Sequence, residues 1–233
     1  MTKNNAAFLR ENLRYLGFGE VIASSGQLEL EMQKGLASFQ LKTAACFDEW
    51  STLQATLHFR KSENFGEYFF AKYDALLMYE TMSLEKTRAQ TFYIKNGSGV
   101  TFKEAFNLLQ GRAVYKQLTD SDEETYHAWI ELDFSQRTPD NTNYKIYQFG
   151  RQYGYDLEKI LENYPIEELT LEALKAHLIL SLKKGNWHPV TFVKAHKRET
   201  VYIAANPTFQ TISICSNATR LFDLHHMANK KNA

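Results

Sequence analysis

The sequence predicts an α+β protein of helices packed on mostly antiparallel sheets. Three observations predict it. In residues 53–60, Leu53, Ala55, Leu57 and Phe59 alternate with Gln54, Thr56, His58 and Arg60, the period of a sheet with one buried face. Elsewhere apolar residues recur every three and four positions, as Phe102, Ala105, Phe106 and Leu109 do, which places them on one face of a helix. The two patterns also follow one another in a fixed order of helix, glycine and three strands. The closing glycines, Gly35, Gly111 and Gly185, fall 76 and 74 residues apart, the signature of a repeated unit.

Phe8, Leu9, Leu13 and Leu16 make the stripe of a first helix that stops near Gly17 and Gly19. Ser24 and Gln27 have capping-box spacing for a short helix over 25–34, with Leu28, Met32 and Leu36 on one side. Strands are expected over 39–47, 53–60 and 68–78, with a turn at 62–66. Residues 81–88 are a polar connection, 89–94 an extra strand, and Asn96-Gly-Ser-Gly a loop. Thr101 and Glu104 form a second capping box, opening the helix that Gly111 closes. Strands follow over 112–118, 126–134 and 143–149, separated by Asp- and Asn-rich turns. Asp156 is placed to cap a helix carrying Leu157, Ile160, Leu161 and Tyr164, with Pro165 as its stop. Thr170 is expected to cap the next helix, striped by Leu171, Leu174, Leu178, Ile179 and Leu182. Three last strands are expected over 190–193, 200–204 and 209–215, then a short terminal helix over 221–227. The grouping is a first helix and unit over 1–95, a central unit over 96–165, a third over 166–217 and a tail over 218–233, forming one or two domains.

A chain of 233 residues can bury a sizeable core. Its 27 basic residues balance its 27 acidic ones, so any nucleic-acid contact has to be local. Two lone cysteines, Cys46 and Cys215, fit a reducing compartment. The first residues lack an apolar core of the secretory kind, and no apolar run has the length of a membrane span. A cytoplasmic protein away from the membrane is expected, and no cofactor is implied.

The segments Tyr68-Phe-Phe-Ala-Lys-Tyr-Asp, Phe106-Asn-Leu-Leu-Gln-Gly-Arg-Ala-Val, Ala128-Trp-Ile-Glu-Leu-Asp-Phe, Tyr153-Gly-Tyr-Asp-Leu and Ser181-Leu-Lys-Lys-Gly-Asn resemble a family of uncharacterised Bacteroidetes proteins, a domain of unknown function often found near conjugative or mobile elements. The resemblance covers most of residues 8–215. It implies an accessory role in a mobile element, touching DNA or a partner protein. It implies no activity and no catalytic residue.

Two regions carry candidate chemistry. His127, Glu131 and Asp133 share one side of a strand with Trp129, where alternate residues could seat a metal or an acid–base pair. The plainer reading is a solvated face whose charges pair with Lys116 or Lys145. Lys183, Lys184, Trp187 and His188, with Lys194, His196, Lys197 and Arg198, form the densest basic and aromatic region, the combination that holds single-stranded nucleic acid. The plainer reading there is a helix end with cations that suit its dipole, followed by a polar turn. His225 and His226, with Asp223 nearby, and the loop before Thr101 are weaker signals of a metal and an anion site. Nucleophile elbow, Cys-x-x-Cys and triad patterns are missing from the sequence. The reading favoured is a non-enzymatic binding or scaffold protein with a protein or nucleic-acid partner. The alternatives are nucleic-acid binding through 183–198 and a metal-dependent enzyme using the 127–133 face.

Overall fold

The alternating stretch around Leu57 becomes β2 (Ser51–Lys61), an inner strand of a four-stranded antiparallel sheet. Its neighbours are β1 (Ser38–Ala45), β3 (Tyr68–Tyr79) and β4 (Arg88–Tyr93), in the order β1-β2-β3-β4. The computed structural model describes residues 3–19, 22, 25–79, 87–120, 122–195 and 197–216. The chain divides into two units, Met1–Leu109 and Gln110–Ala233.

In the first unit the inner side of the sheet is a chain of rings crossing all four strands. Phe39 and Phe59 stack at 4.7 Å, Phe59 and Phe70 at 5.1 Å, and Tyr73 and Phe92 lie 5.3 Å apart. Phe18 and Phe102 join from outside the sheet, with Phe18 within 5.6 Å of Phe70 and 5.0 Å of both Tyr73 and Phe102. Each such pair contributes roughly 0.5–1.5 kcal/mol beyond the area it buries. Three helices cover this side: α1 (Lys3–Tyr15) on β3, α2 (Gln27–Gln33) on β1, and α3 (Phe102–Leu109) on β3 and β4. Buried Asn5 fixes α1 in register, because its side-chain amide donates to the Tyr68 carbonyl and accepts from the Tyr68 amide, both at 2.9 Å. Arg88 donates to the Leu109 carbonyl at 2.8 Å, a cation at the helix end that favours one. The Tyr73 hydroxyl donates to the Val100 carbonyl at 2.8 Å. Burial, then the Glu104 carboxylate, pushes its pKa well up.

The second unit holds two three-stranded antiparallel sheets. One is β5 (Val114–Thr119), β6 (Thr125–Arg137) and β7 (Tyr144–Gly150), in that order. The other is β8 (His188–Lys194), β9 (Lys197–Asn206) and β10 (Thr211–Cys215), with β9 central. Trp129, Leu161, Leu178, Leu182, Val190 and Ile203 meet in its core, brought there by β6, β8, β9, α4 (Leu157–Leu161) and α5 (Glu172–Lys183). Buried Arg112 donates through Nε to the Gly185 carbonyl at 2.7 Å, so a backbone group at the end of α5 is satisfied from the start of β5.

A helix precedes each of the three antiparallel sheets, but the first sheet has four strands rather than the expected three, and the packing does not repeat. The helix expected to head the central unit, α3, packs on β3 and β4 and closes the first unit. Its stripe is aromatic, and Phe102 and Phe106 complete the ring assembly with Phe18 and Phe47. Gly35, Gly111 and Gly185 all have left-handed backbone, at φ of 70, 83 and 78°, as expected of residues that end helices. Asp156 caps α4 by accepting from the Lys159 amide at 3.2 Å. Thr170 does not cap α5. Its hydroxyl donates back to the Glu167 carbonyl at 2.7 Å inside a 3-10 turn, and Leu171 takes the cap position without a side-chain bond. The capping box with Ser24 and the terminal helix over 221–227 lie outside the described residues, though Ser25 Oγ accepts from the Gln27 amide at 3.3 Å.

At α3 the capping box closes in both directions: the Thr101 hydroxyl accepts from the Glu104 amide at 3.3 Å, and the Glu104 carboxylate accepts from the Thr101 amide at 2.9 Å. Thr101→Ala is expected to lower stability by about 1 kcal/mol, and Thr101→Ser by much less. Urea unfolding with an unchanged slope and a shifted midpoint is the measurement, and equal midpoints for the three proteins would remove the cap from the account.

Candidate functional site

The 127–133 face is solvated at His127 and covered from Trp129 onwards. Trp129 is only 3% exposed and belongs to the core of the second unit. Its neighbours on that face make separate contacts. His127 stacks on Tyr115, with ring centres 5.5 Å apart. Glu131 accepts from the Thr208 hydroxyl at 2.7 Å. Asp133 accepts from the Ser135 amide at 2.9 Å and the Ser135 hydroxyl at 2.6 Å. Lys145 lies opposite Asp133, whereas Lys116 lies opposite Ala128 and so belongs to the other side of β6. Among the described residues there is no group of three or more His, Cys, Asp or Glu side chains that could hold a metal.

The two carboxyls titrate in opposite directions. Burial pushes Glu131 up, and the Thr208 hydrogen bonds offset this only in part. Burial also acts upward on Asp133, but hydrogen bonds from Ser135 and Tyr147 and the Lys145 charge outweigh it and hold the group low. Divergent carboxyls of this kind can divide acid and base roles. Here each is held by hydrogen bonds within the fold, so the pair reads as structural.

The 183–198 region is contiguous in sequence and dispersed in space. Lys183 sits over the Tyr115 ring at 5.4 Å, and Lys184 is exposed at the end of α5. Trp187 and His188 are partly buried. The His188 ring meets that of His177 at 5.3 Å, and burial, then the His177 charge, lowers its pKa against the opposing pull of Glu168. Lys194 and Lys197 face one another at the far end of the β8–β9 hairpin, and Arg198 is paired with Glu167. Six residues of extended strand separate His188 from Lys194, roughly 20 Å. The region therefore has two ends and no shared platform. His196, Asp223, His225 and His226 lie outside the described residues. The loop before α3 is a turn closed by reciprocal Lys95 and Ser98 backbone bonds of 2.9 Å. Glu104 already occupies the Thr101 amide, where an anion would have to sit.

A third surface emerges only with the strand register. On the side of the first sheet away from its rings, residues from neighbouring strands stand in rows. One row is Gln40, His58, Lys72 and Tyr93; the next is Lys42, Thr56, Asp74 and Thr91. Arg60 lies opposite Phe69 beyond the first of these rows. Register shifts at this point, with His58 opposite Lys72 but Phe59 opposite Phe70. Ala71 is thus an extra residue in β3, which resets the alternation so that Phe69 and Lys72 both face outward. Phe69 is 46% exposed and Tyr93 71% exposed.

Side chains on this face are linked across all four strands. Gln40 Nε2 lies 3.2 Å from His58 Nδ1, and His58 Nε2 lies 2.6 Å from Asp74 Oδ2. Asp74 Oδ1 accepts from the Thr91 hydroxyl at 2.7 Å and lies 3.8 Å from Lys72 Nζ. Desolvation raises the Asp74 pKa, but the bonds from Thr91 and His58 and the charges of His58 and Lys72 outweigh it and lower the group. Gln40 and Asp74 thus engage both ring nitrogens of His58. A catalytic triad would need a nucleophile at His58 Nδ1, and Gln40 occupies that position. The chain of bonds is a cross-strand ladder carrying cations and exposed rings.

No protein-family model, curated protein or solved structure matches this chain. No helix among the described residues is long and apolar enough to cross a membrane.

The raised Glu131 carboxyl fixes a direction for stability against pH. A carboxyl whose pKa is higher folded than unfolded destabilises the fold increasingly as pH rises through that interval. Glu131→Gln keeps an acceptor for Thr208 and removes the charge. Its melting temperature is expected to exceed that of the parent at neutral pH, and the difference to vanish below about pH 4, where the carboxyl is neutral in both states. A lower melting temperature for the variant at every pH would show that the charge itself stabilises the site.

Proposed function

We propose that this is a non-enzymatic binding protein whose contact surface is the outer face of the first sheet. One observation carries the reading. The sheet commits its whole inner side to rings and helices, yet Phe69 and Tyr93 stand 46% and 71% exposed on the other side, among Lys42, Arg60 and Lys72. An exposed aromatic ring has a cost in water and no packing role in the sheet, and aromatic and Arg residues are those enriched where partners dock. An accessory role in a mobile element, in the cytoplasm, fits a surface that recruits a partner. The 183–198 region supports nucleic-acid binding less well, because its cations and rings are divided between the two ends of β8.

The test compares the parent with a Phe69→Ala/Tyr93→Ala variant. Both substitutions are at exposed positions, so stability is expected to change by about 0.5 kcal/mol or less per site. Immobilised on a support and exposed to extract from the native cells, the parent should retain a component that the variant does not, and the purified component should bind the parent alone. Identical retention by the two proteins would end the assignment of the contact surface to this face.

A further inference from the structure

We infer that the occupant of this face is single-stranded nucleic acid; the inference rests on the reading of the face as a contact surface and names the partner. The argument is one of complementary chemistry. Single strands are held by rings on which bases stack and by cations that follow the phosphates. The face presents both. Phe69 and Tyr93 lie on adjacent strands about three residues apart along them, hence roughly 10 Å from one another. Each ring has a cation directly across the ladder: Arg60 opposite Phe69, and Lys72 opposite Tyr93. Lys42 adds a third cation one row away, on β1. Asp74 is the acid among these rows, and its charge is turned inward to His58, Thr91 and Lys72. Gln40 and His58 bind one another and Asp74, which keeps the floor between the rings polar. A duplex keeps its bases stacked inside and offers these rings nothing to stack on. An acidic protein would meet the same cations, but a cation across the ladder from each ring is the pattern that suits stacked bases linked by phosphates. The chain as a whole is neutral, with 27 basic and 27 acidic residues, so the affinity is modest and lives on this face.

The experiment is fluorescence anisotropy of short labelled oligo(dT) and oligo(U), and of a duplex of the same length, with the full chain. Binding to the single strands is expected at about 50 mM salt, falling towards 200 mM with a log–log slope of about −2, as three neutralised phosphates predict. Loss of each ring should weaken binding by about thirtyfold, the middle of the range for one stacked base. Lys42→Gln/Lys72→Gln should reduce the slope while leaving the fold, checked by circular dichroism, unchanged. Absence of binding at low salt overturns the inference, as does binding that the ring variants leave unchanged or a preference for the duplex. The two readings fail separately. A purified protein that binds the parent, not the Phe69→Ala/Tyr93→Ala variant, while oligonucleotides bind neither, overturns the nucleic acid and keeps the face.

Discussion

The structure of the first unit depends on one constraint: the ring chain Phe39, Phe59, Phe70, Tyr73 and Phe92 crosses all four strands on a single side. Rings of this size need dense cover, and the cover has to come from helices whose own stripes are apolar. The three helices among the described residues therefore lie on the same side, and Phe18 and Phe102 are drawn in as bridging rings. The opposite side is released from packing. Its residues are then free to be chosen for water, for one another or for a partner, and a polar ladder with two exposed rings is what stands there. Asn5 and Arg88 serve the same arrangement by occupying backbone groups where helix meets sheet.

The second unit is organised on the opposite principle. Trp129 turns what reads as the polar side of β6 into core, so the charged residues beside it find internal partners. Glu131 is bound by Thr208, and Asp133 by Ser135. The same holds for two of the cations in 183–198, with Lys183 over Tyr115 and Arg198 against Glu167. Groups already engaged in this way contribute to position and rigidity more than to chemistry. The contrast between the units is why the proposed contact surface lies outside both regions that the sequence singles out.

Much of the fold is legible in the chain itself, because local rules decide it. The alternation of β2, the capping box at Thr101 and Glu104, the Asp156 cap and the three left-handed glycines all follow from neighbours within a few residues. What is not legible depends on register and on burial from afar. His58, Lys72 and Tyr93 become neighbours only through strand pairing, and the extra residue Ala71 decides that Lys72 faces outward. Nothing within β6 says that Trp129 faces a core rather than water, since that core is built by α4, α5 and the β8–β10 sheet. The basic run fails for a simpler reason: proximity in sequence along an extended strand is distance in space.

The long-range links within each unit have a consequence for how the chain is made. In the first unit Asn12 waits for the carbonyl of Gly97, 85 residues later, and each of its described helices and strands ends by Leu109. In the second, Arg112 waits for Gly185, 73 residues later, and Tyr155 for the carbonyl of Thr211. A polypeptide leaving the ribosome folds its early portion as soon as the necessary partners have emerged. The amino-terminal sheet has all of its partners while the remainder is still being translated. Its outward rings and cations are thus presented by the nascent protein before the carboxy-terminal half has taken shape.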